Sequence, residues 1–391
     1  QWIKRDDGSG YDGFDRAGKI IASRTTTPTS PPLGCQICGQ EWGPEGAFEP
    51  HGEGLCIPQF PKQRITIPAA DQLTFIDEWV KLANSGRWAY GEWASRFEES
   101  FAAICGTRYA VAMGSGTQAL EVMVRALRLR GKRIAIPVNG YIAHAQAILH
   151  AGAFVHFVDV DDDLMLDPKK LPKTQDAVDA VLTVHIGGAV SENLGAIQDY
   201  CKARNVPLLE DAAHAHGSTS EFGKAGAIGH AAGFSFFPTK ILTVAGEGGM
   251  LTTSDPEVAK FALQFRHHGR EEPGHDDPNV KHVLQGHNYC IDEVRSLMGW
   301  LQVNRLREFI TTRRAVAAVY REKFPLVETE GSNYYKVIVA DKVKAPFDLP
   351  GKVYPVPCHL QPAFGYKQGM FPVAEAACEN HSCLPIYNTM T

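Results

Sequence analysis

The sequence contains no run of eighteen or more apolar residues, so hydropathy offers no membrane-spanning helix. Its opening, Gln1-Trp-Ile-Lys-Arg-Asp-Asp7, lacks a hydrophobic signal core and an initiator Met; the chain reads as trimmed or partial, and a cytoplasmic location is expected. An excess of either charge is missing too. Lys and Arg number 39 against 44 Asp and Glu, a formal net charge of -5 that supplies no electrostatic attraction to nucleic acid or to an anionic membrane, and neither is expected as a partner. No Gly-x-x-x-x-Gly-Lys-Ser/Thr loop occurs, which argues against a nucleotide triphosphatase. The nine cysteines are odd in number and mostly scattered among apolar residues, which suits a reducing compartment better than a disulfide framework.

What is present is 391 residues with 44% hydrophobic content, enough for a large core and for two or three domains. Residues 1 to about 62 are rich in Gly, Pro, Ser and Thr and read as an extended or loosely ordered extension. Within it Cys35, Cys38, His51 and Cys56 form a candidate zinc set, because a Cys-x-x-Cys knuckle followed by His and Cys can close a tetrahedron; thiols in a flexible arm are the alternative.

From Ile65 onward helices and strands alternate. Asp71 to Leu82 carries Leu73, Ile76, Val80 and Leu82 at near-helical spacing, and a second helix spans Trp93 to Cys105. Strands are predicted at Tyr109–Met113, Arg133–Pro137, Phe154–Val158, Ala180–Val184, Val206–Leu209 and Ala232–Phe237, with helices such as Ile142–Ala151 and Leu194–Arg204 between them. Such alternation implies crossovers, a largely parallel sheet covered on both faces, and ligands at the strand C-termini.

Three stretches carry chemistry. Gly114-Ser-Gly-Thr117 joins a strand to a helix N-terminus, a ready phosphate site. Gly114-x-Gly116-x-x-Ala119 also fits the loose dinucleotide fingerprint, but the next strand runs into Val138-Asn139-Gly140 with no carboxylate for a ribose. Glu210-Asp211 follows a strand, where an Asp can pair with a protonated pyridine nitrogen or simply cap a helix. Gly233 to Gly249 places Lys240 between an aromatic strand and a glycine cluster, with Phe234, Phe236 and Phe237 expected as an apolar wall that depresses its pKa and frees the amine to attack a carbonyl. A lysine so placed, an acid and a phosphate cradle are what pyridoxal phosphate requires. Asp161-Asp-Asp163 and His267-His268 read as a solvated loop and a helix-end turn rather than metal sites.

These motifs coincide with those of a known family. From about Ile65 the chain resembles the pyridoxal-phosphate sugar aminotransferases of the DegT/DnrJ/EryC/StrS type, through Gly114-Ser-Gly-Thr-Gln-Ala-Leu120, Phe157-Val-Asp-Val160, Val184-His185, Glu210-Asp-Ala-Ala-His-Ala-His-Gly217, Ser235 to Lys240, Gly246-Glu-Gly-Gly249, His287-Asn-Tyr289 and Pro357-Cys-His-Leu-Gln-Pro362. The resemblance implies an α/β fold-type I architecture of the aspartate aminotransferase kind: a largely parallel seven-stranded sheet in residues 63–310 and a smaller C-terminal α+β domain in 311–391, without the usual final helix. It implies that Lys240 holds the cofactor covalently, that Asp211 pairs with the pyridine nitrogen, and that Tyr141 stacks on the ring. Gly116, Thr117, Gln118 and Ser235 would hold the phosphate, His214 would contact the cofactor where Gln is common, and Asn288 would reach the site of a neighbouring subunit in a homodimer. His185 and His359 would lie near the substrate. Cys290 stands where an Arg is common, which leaves the acceptor open.

The expected reaction moves an amino group from glutamate or glutamine to a keto-sugar, nucleotide-linked, or to a keto-cyclitol. Two alternatives stand beside it. A sugar dehydratase of this fold would carry a histidine in place of Lys240, and a cofactor-binding regulator without turnover would be expected to lack part of the constellation.

Overall fold

The computed structural model describes residues 67–174, 178–272, 279–339 and 352–390, together with the backbone of three strands near the N-terminus. Residues 1–61 form one compact unit and 62–391 another. In the first, β1 (Trp2–Lys4), β2 (Gly10–Phe14) and β3 (Ile20–Thr25) pair antiparallel in the order β1-β2-β3. This corrects the expectation of a loosely ordered extension: hairpins need only short segments separated by turn residues, and overall Gly and Ser content hides them. The zinc candidates Cys35, Cys38, His51 and Cys56 lie outside the described residues.

The second unit begins with α1 (Ala69–Ser85) and α2 (Glu92–Cys105), then alternates β4 (Tyr109–Met113), α3 (Gly116–Ala126), β5 (Arg133–Pro137), α4 (Ile142–His150), β6 (Phe154–Val158), β7 (Ala180–Val184), α5 (Leu194–Arg204) and β8 (Leu208–Asp211). A small hairpin, β9 (Thr219–Ser220) and β10 (Gly223–Lys224), precedes β11 (Ala231–Ser235), β12 (Gly249–Thr253), α6 (Pro256–Phe265) and the long α7 (Glu293–Arg321). The seven-stranded sheet has the order β4-β12-β11-β8-β7-β5-β6. The pairs from β11 to β6 are parallel, and β12 runs antiparallel to both its neighbours.

Both faces of the sheet are covered. Successive residues alternate between two cores: Val111, Met113, Ile134 and Ile136 face one, Ala110, Ala112, Ala135 and Phe234 the other, as the two-residue strand period requires. Strand β8 starts two residues later than expected and carries its pairing through Asp211, opposite Val184 of β7, so the acid belongs to the strand end itself.

The apolar positions of α1 divide: Leu73, Ile76, Trp79 and Val80 are exposed, while Phe75 and Leu82 join the cluster of Trp93, Leu297 and Leu301, and Asp71 pairs with Arg305 at 2.9 Å. The glycine cluster Gly246–Gly249 leads into β12, a strand not predicted from the sequence because its all-buried run has no polar alternation to mark it.

At the C-terminal end, β13 (Leu326–Val327), β14 (Val337–Val339) and β15 (Ser382–Leu384) form a three-stranded sheet, with α8 (Pro372–Asn380) before its last strand. It shares a core with Ala317 of α7. Buried Arg313 donates to the Tyr334 carbonyl at 2.9 Å and to Asn388 Oδ1 at 2.7 Å; Asn388 donates in turn to the Ile241 carbonyl, tying the tail to the segment after Lys240. Among the described residues no helix is long and apolar enough to cross a membrane, and no cluster of three or more His, Cys, Asp or Glu is placed to hold a metal ion.

Candidate active site

A cavity of about 350 Å³ opens beside the C-terminal ends of β8 and β11 and the N-terminus of α3. Ser115 caps α3, its Oγ accepting from the Gln118 N–H at 3.3 Å. The helix start is pressed against β11: a Cβ on Gly116 would come within 2.8 Å of the Ser235 Cβ, and one on Gly249 within 2.1 Å of the Ser115 carbonyl oxygen. Glycine is therefore required at both positions by close approach. Gly116, Thr117 and Ser235 all line the cavity, and the first helical turn offers N–H groups with no intrahelical acceptor.

Gln118 departs from the expectation. Its N–H is taken by Ser115, its side chain packs under Gly114, and it does not line the cavity. Of the residues expected to form this cradle, Gly116, Thr117 and Ser235 are the ones that line the cavity.

Lys240 and Asp211 both line the cavity. Burial lowers the Lys240 pKa to about 8, while the nearby Asp211 carboxylate pulls it the other way. The aromatic setting differs from the one expected. Phe234 and Phe236 point into the core, their rings 4.8 and 5.2 Å from Phe101, because alternate strand residues face opposite ways. Of the three, Phe237 remains exposed at the cavity rim, and the ring beside the lysine is Tyr335, with Nζ 4.9 Å from its centroid.

His214 lies against Tyr335, ring centroids 4.2 Å apart, and its Nε2 is 3.0 Å from the Tyr354 hydroxyl. Burial, then the charges of Lys240 and Lys336, hold its pKa well below the ordinary histidine value, so it is neutral at pH 7. Tyr141 precedes α4, is exposed to the cavity, and has its ring 5.9 Å from that of Tyr354.

Tyr335, Lys336 and Tyr354 escaped sequence reading, since they follow Lys240 by more than ninety positions and obey no spacing rule with it. The run Asn333-Tyr-Tyr-Lys336 before an apolar strand was the available signal. Asn333 sets this segment in place: its amide donates to the carbonyls of His214 and His216, both at 2.9 Å, and its Oδ1 accepts from the Tyr335 N–H.

Besides Gln118, three candidates fall outside the cavity. His185 is fully buried with Nε2 2.9 Å from Glu210, a carboxylate that also accepts from the N–H groups of Gly226, Ile228 and Gly229. It supports the loop that precedes β11. His359 is likewise enclosed, 2.9 Å from Glu375 and packed on Phe371, and neither histidine lines the cavity. Asn288 is exposed, bridged to His267 through its backbone, away from the cavity.

A parallel sheet with a pKa-lowered lysine, an aspartate and a helix N-terminus around one cavity is the arrangement of a fold-type I pyridoxal-phosphate-dependent enzyme. The chain belongs to the DegT/DnrJ/EryC1/StrS aminotransferase family, whose model matches residues 70–332. A Geobacillus stearothermophilus protein named Pleiotropic regulatory protein is 29% identical over 332 residues, 78% of this chain and 87% of its own length. The dTDP-3-amino-3,4,6-trideoxy-alpha-D-glucose transaminase of Streptomyces venezuelae is 28% identical over 334 residues, covering 78% and 85%. Among solved structures, S. venezuelae DesV in complex with ketimine intermediate superposes with a TM-score of 0.74 at 27% identity, over 82% of this chain and 91% of that one.

Proposed function

We propose that this chain transfers an amino group from glutamate or glutamine to a keto-sugar carried on a nucleotide, or to a keto-cyclitol, through pyridoxal phosphate. The observation that carries the reading is the convergence of Lys240, Asp211 and the first turn of α3 on one cavity. The residues fit the cofactor. The N–H groups of Gly116 and Thr117 and the Ser235 hydroxyl would take its phosphate, Tyr141 its ring face, and His214 would flank it. When bound, pyridoxal phosphate supplies an aldehyde that exchanges for an amine and a ring that accepts electrons from the donor carbon. Lys240 first holds the cofactor; displaced by the donor, its neutral amine is free to take the Cα proton as a base and return it as an acid. Asp211 keeps a positive charge on the ring nitrogen through its own negative one. Neutral His214 orients without adding charge.

A keto-sugar acceptor is supported by the S. venezuelae relative, named for a dTDP-amino-sugar. The relative named as a regulatory protein keeps the second reading, cofactor binding without turnover, in play. Lys240 and Asp211 facing one cavity favour turnover. The test is a single-turnover spectrum: glutamate or glutamine alone should change the visible absorption of the loaded protein and release one keto acid per site. A regulator would bind cofactor without that change, and a dehydratase would lose oxygen from a sugar without forming an amine.

A homodimer belongs to the same reading, supported by the exposed Leu73, Ile76, Trp79 and Val80 on α1 and by Asn288 standing on the surface. Asn288→Ala should weaken cofactor retention about tenfold, the scale of one lost charge-assisted hydrogen bond. Equilibrium dialysis checks it, and an active monomer in light scattering at assay concentration would contradict it. A division into residues 63–310 around the cofactor and 311–391 as a smaller domain goes with this proposal, as does a cytoplasmic location, supported by the free thiols of Cys105, Cys201, Cys290, Cys358, Cys378 and Cys383.

A further inference from the structure

Among the side chains that line the cavity, Lys240, Lys336 and His214 are the ones able to carry positive charge. His214 is held neutral by its burial. Lys240 is the amine that a donor must displace. Lys336 remains, and among the described residues no carboxylate stands within ion-pair distance of its ammonium; it rests over the Tyr335 ring, 5.1 Å from the centroid.

Its position is fixed by the backbone. The Lys336 N–H donates to the Gly187 carbonyl at 3.0 Å, and Asn333 ties the preceding turn to the carbonyls of His214 and His216. A Cβ on Gly188 would come within 1.9 Å of Asn333 Oδ1, so this junction admits no side chain there. A rigid segment therefore delivers one uncompensated cation to the cavity.

We propose that Lys336 binds the α-carboxylate of the amino donor and thereby selects an amino acid over a simple amine. The inference rests on the aminotransferase reading. An α-amino acid carries its nitrogen and its carboxylate on the same carbon, so a donor whose nitrogen replaces Lys240 places the carboxylate within a few bonds of that point. Lys240 and Lys336 rest on the same Tyr335 ring, 4.9 and 5.1 Å from its centroid, and both line the one cavity, so the second cation stands in the neighbourhood of the first. The phosphates of a nucleotide-linked acceptor lie many bonds from the reacting carbon. Asp211 and Glu247, the carboxylates lining the same cavity, would repel a donor carboxylate, which makes a compensating cation necessary.

The test compares glutamate with 4-aminobutyrate, the same molecule without its α-carboxylate, in rapid-mixing spectral titrations of the cofactor-loaded parent, Lys336→Met and Lys336→Arg. Lys336→Met should weaken glutamate binding about 10- to 100-fold, the range of a charged hydrogen bond, and leave 4-aminobutyrate within about twofold. Lys336→Arg should keep most of the preference, because it keeps the charge. Equal weakening of both amines, or no weakening of either, overturns the proposal. So does a loss confined to the reverse half-reaction with a nucleotide-linked keto-sugar, which would assign Lys336 to the acceptor phosphates. Loss of cofactor in Lys336→Met that Lys336→Arg restores would instead place the lysine in cofactor retention and also overturn it. A parent protein that reacts with no amino donor would refute the underlying aminotransferase reading, an outcome distinct from all of these.

Discussion

Lys240→Ala is expected to fold and to lose turnover by about four powers of ten, the upper range for removal of a general acid and base, with a further loss from the missing covalent tether. The cause is specific to its surroundings. A lysine at its ordinary value would be almost entirely protonated at neutral pH. Burial brings Lys240 to about 8, so roughly one-tenth of it is neutral at pH 7, a gain of about 300-fold over the free side chain. The sign follows directly: the amine is cationic and unreactive below about 8, neutral and reactive above. The rate at which an amine-directed reagent modifies Lys240 in cofactor-free protein, followed by peptide mass, should rise tenfold per pH unit up to about 8 and then level. Borohydride reduction of the loaded parent should leave cofactor on the Lys240 peptide, and on none in Lys240→Ala. Reduced cofactor on another lysine would sink the assignment. A modification rate still climbing past pH 10 would show that burial does not set the amine's acidity.

The sheet and half of the site were legible because they depend on local signals. Strand, glycine turn and helix at Tyr109 to Ala126 can be read from periodicity and from the two glycines, and the close approach of Gly116 to Ser235 explains why no other residue fits there. Asp211 ends β8 and Lys240 stands in the turn five residues after β11, on the side where a parallel sheet gathers its ligands. What was hidden depends on distance along the chain. Tyr335, Lys336 and Tyr354 reach the cavity from beyond α7, brought in by the Asn333 amide, and no pattern near them announces it. His185 and His359 were misplaced for the opposite reason: a histidine in a family motif looks functional, yet Glu210 and Glu375 enclose both in the interior. The near-helical spacing of Leu73, Ile76, Val80 and Leu82 marks α1 as a helix, but spacing alone does not tell that Leu82 is buried while the other three are exposed.

Asp211→Asn should slow the donor half-reaction by about three powers of ten, roughly 4 kcal/mol, while leaving cofactor and donor bound. Asp211 sits on the last residue of β8, 5% exposed, with its Oδ1 accepting from the Ala213 N–H at 3.1 Å. That bond and the strand pairing to Val184 fix the carboxylate in direction. A carboxylate held this way favours a positive charge on the ring nitrogen of the bound cofactor. A neutral amide of the same shape keeps the hydrogen bond but not the charge. Asn at this position would no longer hold a positive charge on the ring nitrogen, and the electron sink that the cofactor would supply for proton removal by Lys240 would be weaker. Binding is spared because the phosphate cradle at Gly116, Thr117 and Ser235 is untouched, so the expected pattern is a fallen rate constant with a nearly unchanged donor dissociation constant. Removing Asp211 should also let the Lys240 pKa fall further, since that carboxylate is what raises it against burial. The lysine would then be more fully neutral at pH 7, a change that by itself favours proton removal and works against the observed loss. Rapid-mixing spectra at pH 7 and pH 9 separate the two effects: a deficit of equal size at both belongs to the lost ring charge, because Lys240 is largely neutral at the higher pH in either protein. An Asp211→Asn enzyme that matches the parent at both pH values would remove Asp211 from the chemistry and leave it a structural cap at the end of β8.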